Sequence, residues 1–190
     1  MEHNSCGAAS ATQSERPARG EAPPLHAHPA VVDPDVLLKE CVVTRQRRSG
    51  PGGQHRNKVE TAVRIVHSPT GVTAEASERR SQEQNRAAAI MRLRVNLALE
   101  VPAAPAASPT ELWLRRCAGG RLDVNAEHAD FPPLLAEALS HIVATEGDVG
   151  IAAAGLRVTP SQLLKFLKAA PPALERVNRL RQNRGLRPLK

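Results

Sequence analysis

The sequence predicts an α+β fold: a short mixed sheet carrying one packed helix, then a Pro/Ala linker and an all-helical C-terminal module. Three observations predict it. Residues 41–46 and 62–76 are rich in β-branched side chains with strand-like alternation, and residues 82–100 change to a helical period. The stretch "VPAAPAASP" then breaks the composition. Beyond it, apolar residues recur at helical spacing between proline starts and glycine stops.

Residues 1–32 are rich in Ala, Pro, Ser and Gly with few large apolar side chains, so they are expected to form a disordered tail. His26 and His28 make a pair there without further ligands and are read as incidental, so no metal is expected. Asp33-Pro34-Asp35 is a helix-start signal. It opens a domain expected over 33–100. "ECVVTRQ" reads as a strand. "TAVRIVH" alternates Ala62, Arg64 and Val66 against Val63, Ile65 and His67, and "VTAEAS" returns after the turn "SPTG". His67 is expected at the turn or edge of this hairpin. Ser81 and Gln84 form a capping-box pattern, and Ile90, Leu93 and Leu97 supply an apolar stripe.

Residues 101–109 are the expected linker and 110–190 a helical, basic-ended docking module. Thr110 to Ala118 reads as a short helix bearing Trp113 and stopped by Gly119-Gly120. Asp130 reads as the cap of a helix whose apolar face is Leu134, Leu135, Ala138, Leu139 and Ile142. Residues 148–169 have helix-turn-helix spacing, with Thr159 capping the second helix. A last helix runs from Pro171-Pro172 towards Gly185 with the stripe Leu174, Val177 and Leu180.

The formal charge of +7 is unevenly spread. Residues 41–100 hold eleven basic and five acidic groups, and residues 174–190 hold six and one. Two cationic blocks point to a polyanionic partner. Cys6, Cys41 and Cys117 are far apart and contain no C-x-x-C pair, which argues against a disulfide framework. No apolar run is long enough for a membrane helix and the N-terminus has no signal-peptide pattern, so a cytoplasmic, monomeric protein is expected.

The loop "RRSGPGGQHRNK" (47–58) concentrates the chemistry. It lacks the Gly-x-x-x-x-Gly-Lys-Ser/Thr of a phosphate-binding loop, and Gln54 is neither nucleophile nor acid-base group. Gly52 and Gly53 allow close backbone approach and convergence of N–H groups on one oxygen. Arg47, Arg48, His55, Arg56 and Lys58 can hold a phosphate backbone around that tip. The residues by themselves support a nucleic-acid-docked loop that assists attack on a carbonyl.

"SGPGGQHRNKVETAVRIVHSPTG" followed by "ERRSQEQNRAAAIMRLR" resembles the catalytic domain of class I peptide chain release factors, above all their short ribosome-rescue relatives. The resemblance covers residues 33–100. It rests on Ser49-Gly50-x-Gly52-Gly53-Gln54-His55-x-Asn57-Lys58, Pro69-Thr70-Gly71, and Arg80-Ser81-Gln82 with Asn85. Arg56 departs from the aliphatic residue usual in the family. The resemblance implies codon-independent hydrolysis of the peptidyl-tRNA ester in the peptidyl transferase centre, on stalled ribosomes or large subunits. It implies a catalytic role for Gly52, Gly53 and Gln54, without cofactor. It also implies N5-methylation of Gln54 by a glutamine methyltransferase.

Codon-reading release factors carry further domains, which residues 1–40 are too short to supply. Arg80, Lys165, Lys168, Arg176, Arg179, Arg181, Arg184, Arg187 and Lys190 are the expected RNA contacts outside the loop. The last six recur every two to five residues, so they point to different sides. The segment is expected to dock as a helix with an RNA-facing side rather than thread the mRNA channel as a free tail. The alternative is a noncatalytic RNA- or DNA-binding protein with a helix-turn-helix-like C-terminal module.

Overall fold

Residues 22–46 and 61–190 are described by the computed structural model. Three strands, β1 (Cys41–Gln46), β2 (Ala62–His67) and β3 (Thr73–Ala76), form a sheet in that order. It is antiparallel throughout, where a mixed sheet was expected. Its register aligns Val43 with Ile65 and Ile65 with Ala74. Every second residue faces one side, so Val63, Ile65, Ala74 and Ala76 are buried together. The β2–β3 turn uses Gly71 at φ +74°, a conformation glycine adopts without steric cost. His67 is a buried turn residue whose ring meets the Thr70 hydroxyl at 2.8 Å and the Glu40 carboxylate at 3.3 Å.

A short helix α1 (Pro34–Leu38) precedes the sheet, capped by the Asp33 carboxylate on the Asp35 N–H. Helix α2 (Gln82–Glu100) starts where Ser81 Oγ accepts from the Gln84 N–H. Its buried residues Ala89, Leu93 and Leu97 lie with Asn85, Arg94 and Ala98 over a face wider than one stripe. The width has a cause: α2 packs on β2 and β3 and also on helix α4 (Phe131–Ala144).

Helix α4 is buried continuously from Phe131 to Ser140, wider than the single apolar face expected, and the burial takes in Glu137 and Ser140. Burying Phe131, Leu134, Leu135, Leu139 and Ile142 contributes roughly 1.5–3 kcal/mol each. Around it lie α3 (Glu111–Arg116), α5 (Val149–Gly155), α6 (Pro160–Lys168) and α7 (Pro171–Asn183). Phe166 sits 5.0 Å from the Phe131 ring and 6.1 Å from Trp113, whose indole N–H donates to the Leu156 carbonyl at 2.8 Å.

Gly119-Gly120 does not stop a helix. With φ of +56° and +75°, the pair turns a two-stranded hairpin of β4 (Cys117–Ala118) and β5 (Arg121–Leu122), so the C-terminal region is not wholly helical. Asp130 precedes α4 but makes no side-chain cap; its carboxylate accepts from Arg116 Nε at 2.8 Å. Glu137 of α4, buried, accepts from the Thr110 N–H and hydroxyl at 2.7 and 2.6 Å and so fixes the start of α3. Burial raises the pKa of its carboxyl group.

Residues 22–32 belong to the tail expected to lack order, yet they pack on the fold. Leu25, His28 and Ala30 are buried, and Ala104 N–H donates to the Pro23 carbonyl at 2.9 Å. His28 accepts from the Ala30 N–H at Nδ1, which places its proton on Nε2, facing the Val101 carbonyl at 3.1 Å. Arg94, 6 % exposed, donates to the carbonyls of Ala30 and Ala129. The residues 101–109 thus run along a shared core rather than between separate ones.

Candidate functional site

Gln46 and Ala62, on either side of residues 47–61, form the last β1–β2 pair and so lie together at one end of the sheet. Gly52, Gly53, Gln54, Arg47, Arg48, His55, Arg56 and Lys58 lie outside the described residues. What the fold does describe is how the loop is anchored. Asn85, fully buried on the first turn of α2, donates through Nδ2 to the Thr61 carbonyl at 2.7 Å and the Arg79 carbonyl at 2.9 Å. Its Oδ1 accepts the Arg79 N–H at 2.9 Å. One amide therefore joins the end of the loop to the turn before α2, using both donors and an acceptor that only a carboxamide offers together. Sequence matching singled out Asn85; its positioning role needed the fold.

The cations near this base are not equivalent. Arg80 is exposed in the turn that Asn85 braces. Arg92 is committed to Glu78, at 2.6 Å. The Ser77 N–H, the Glu78 N–H and the Arg92 guanidinium hold the Glu78 carboxyl at about 2.

In the C-terminal region the expected RNA contacts divide. Lys165 and Lys168 are exposed on α6. Arg176 is half-buried between α7, α4 and the end of α2; burial lowers its pKa, and Glu100 opposes the shift. Arg181 donates to the Gly147 carbonyl and, at 2.8 Å, to the Arg187 carbonyl. Arg184 pairs with Glu146 at 3.1 Å. Arg179, Arg187 and Lys190 are exposed. Residues after Gly185 fold back on α7: Leu189 exchanges two hydrogen bonds with the Asn178 amide, at 2.7 and 3.1 Å. Arg176, Arg181 and Arg184 thus serve internal contacts, which their sequence spacing did not reveal.

The domain of β1–β3 and α2, with Asn85 bracing the loop between β1 and β2, agrees with the family comparison: residues 32–111 match the description "RF-1 domain". This segment is similar to the RF-1 domain family over 80 of the 190 residues. The segment is also similar to "Peptide chain release factor 1" of Acidiphilium cryptum (strain JF-5), with 47 % identity over 81 residues, 42 % of this chain and 23 % of that protein. "Peptide chain release factor 2" of Paramagnetospirillum magneticum (strain ATCC 700264 / AMB-1) is 47 % identical over 66 residues, 35 % of this chain and 18 % of that protein. "Peptide chain release factor 1" of Lactobacillus delbrueckii subsp. bulgaricus (strain ATCC BAA-365 / Lb-18) is 51 % identical over 59 residues, 31 % of this chain and 16 % of that protein. The chain spans less than a quarter of the length of these relatives. Among the described residues, no helix is long and apolar enough to cross a membrane.

Proposed function

We propose that this protein hydrolyses the ester between nascent peptide and tRNA in the peptidyl transferase centre, without reading a codon, on stalled ribosomes or large subunits. The observation that carries this reading is Gly52-Gly53-Gln54 inside the RF-1 domain match. In this reading Gly52 and Gly53 let the backbone approach the reacting carbonyl, where a Cβ would obstruct it. The Gln54 N–H stabilises the oxyanion as the water oxygen adds to the ester carbon. Its uncharged amide shapes the water site, and the substrate RNA supplies the route for the proton, so neither cofactor nor metal takes part. Arg47, Arg48, His55, Arg56, Lys58 and Arg80 hold ribosomal RNA around the loop. Asn85 supports this arrangement by bracing Thr61. The Gln54 amide is the site of a single methyl group added by a glutamine methyltransferase, which intact-mass measurement of native protein tests. The protein acts as a cytoplasmic monomer.

The deciding experiment is peptide release from ribosomes carrying peptidyl-tRNA, with and without a codon in the decoding site. Equal or faster release with an empty site is expected. Release only with a stop codon overturns codon independence, and no release under either condition overturns the hydrolytic reading.

A further inference from the structure

We infer a second RNA-docking surface, formed by the outward ridge of α6, the turn before it and the β4–β5 hairpin rather than by α7. It rests on the release reading for its choice of RNA as the polyanion. On α6, Leu163, Phe166 and Leu167 face the core. At about 100° per residue, Ser161, Lys165 and Lys168 therefore share the opposite ridge, and all three are exposed.

The turn before α6 contains Arg157, exposed and at φ +58°. This left-handed region opposes a side chain with a Cβ, and glycine is its usual occupant. Glu146 shares this conformation at φ +53°, so the strain by itself assigns no role. What singles out Arg157 is that its exposed cation lies beside the α6 ridge and the hairpin. The hairpin lies against this turn: the Cys117 thiol is 3.9 Å from the Arg157 carbonyl, and a Cβ on Gly120 would be 3.9 Å from the same oxygen. Arg121, next to Gly120, is exposed, and β5 packs on α6.

The charge balance of the surface favours a polyanion. Residues 149–174 contain Arg157, Lys165 and Lys168 and no Asp or Glu, and residues 112–122 contain no acid. The exposed acids Asp123 and Asp148 border this surface, the latter beside Ser161, and Arg121, Arg157, Lys165 and Lys168 outnumber them. Arg115 is left out because Glu111, four residues earlier, shares its exposed side of α3. The cations of α7 offer less, since Arg181 and Arg184 already hold the turn at Glu146-Gly147. Lysine and arginine on a convex ridge suit phosphates, so the surface supplies affinity and orientation without sequence readout.

The test uses the full chain with Arg157→Gly, and separately Arg121→Gln with Lys165→Gln and Lys168→Gln. Each is titrated with a labelled RNA hairpin and with purified large ribosomal subunits between about 50 and 200 mM salt. Arg157→Gly relieves strain, so its thermal midpoint is expected to equal or exceed that of the parent while its RNA affinity falls severalfold. Each removed contact is expected to reduce the salt slope by about 0.7–0.9. Unchanged affinity and slope in both variants, or tighter binding to a DNA hairpin of the same sequence, overturns this surface. If those variants bind normally while the parent releases peptide, the surface fails and the release reading stands. If the parent releases nothing yet loses RNA affinity on these substitutions, the release reading fails and the surface stands.

Discussion

Asn85→Ala removes three hydrogen bonds of 2.7, 2.9 and 2.9 Å, all to backbone groups. A net contribution of about 1 kcal/mol per bond gives about 3 kcal/mol. The partners allow no smaller figure for Thr61, which is half-buried, whereas exposed Arg79 regains some water. For a chain of 190 residues this corresponds to a fall of about 6–12 °C in thermal midpoint, at about 2–4 °C per kcal/mol. A domain of ordinary stability, about 5–15 kcal/mol, stays mostly folded after that loss. Peptide release at 25 °C therefore reports the loop base rather than unfolding, and it is expected to fall well below the folded fraction.

Asn85→Asp sharpens the test. Its carboxylate still accepts from Arg79 N–H but faces the Thr61 and Arg79 carbonyls without a proton. The folded state then favours the neutral acid, so its pKa lies above the unfolded value of about 3.9. The deficit is largest at neutral pH and shrinks as pH falls through the raised folded-state pKa. Chemical denaturation across pH measures this. An Asn85→Ala variant within about 0.5 kcal/mol of the parent and with unchanged release refutes the bracing argument.

Other predictions address separate parts of the molecule. Gly52→Ala and Gly53→Ala are expected to abolish release with ribosome binding retained, while Gln54→Ala keeps part of the activity through its N–H; single-turnover release assays check this. Burial, with the Arg176 charge adding to it and the Val101 carbonyl opposing it, lowers the His28 pKa. A depressed folded-state value means the stability is present above about pH 6.5 and is lost as pH falls below it, so His28→Leu is expected to flatten that acid limb in denaturant titrations. Trp113 is the single tryptophan, so its fluorescence reports the C-terminal region alone. Because α2 and α4 share one core, that signal and far-ultraviolet circular dichroism are expected to lose structure at one midpoint; two transitions would instead indicate independent domains.

The sequence by itself determined what local physics can specify. Alternation in "TAVRIVH" and helical spacing in "AAAIMRLRVNLALE" marked β2 and α2 because side-chain period follows backbone geometry. Thr159 and Ser81 announced their helix starts because a cap bonds within three residues. The loop motif was legible because its glycine pair and cations are contiguous. Only the tertiary structure decided which polar residues act internally. His28 meets Val101 across 73 positions, and Arg94 meets Ala30 across 64 and Ala129 across 35. Read locally, Arg94 is one more charge on a helix and His28 one more residue of a Pro-rich tail. Gly119-Gly120 satisfied a helix stop and a hairpin turn equally well until β5 found β4. Likewise, arginines on α7 and on α6's approach carry the same charge in the sequence. Packing separates them, because a guanidinium close to carbonyls or a carboxylate is used within the fold, whereas one held outward on a turn stays accessible to a partner.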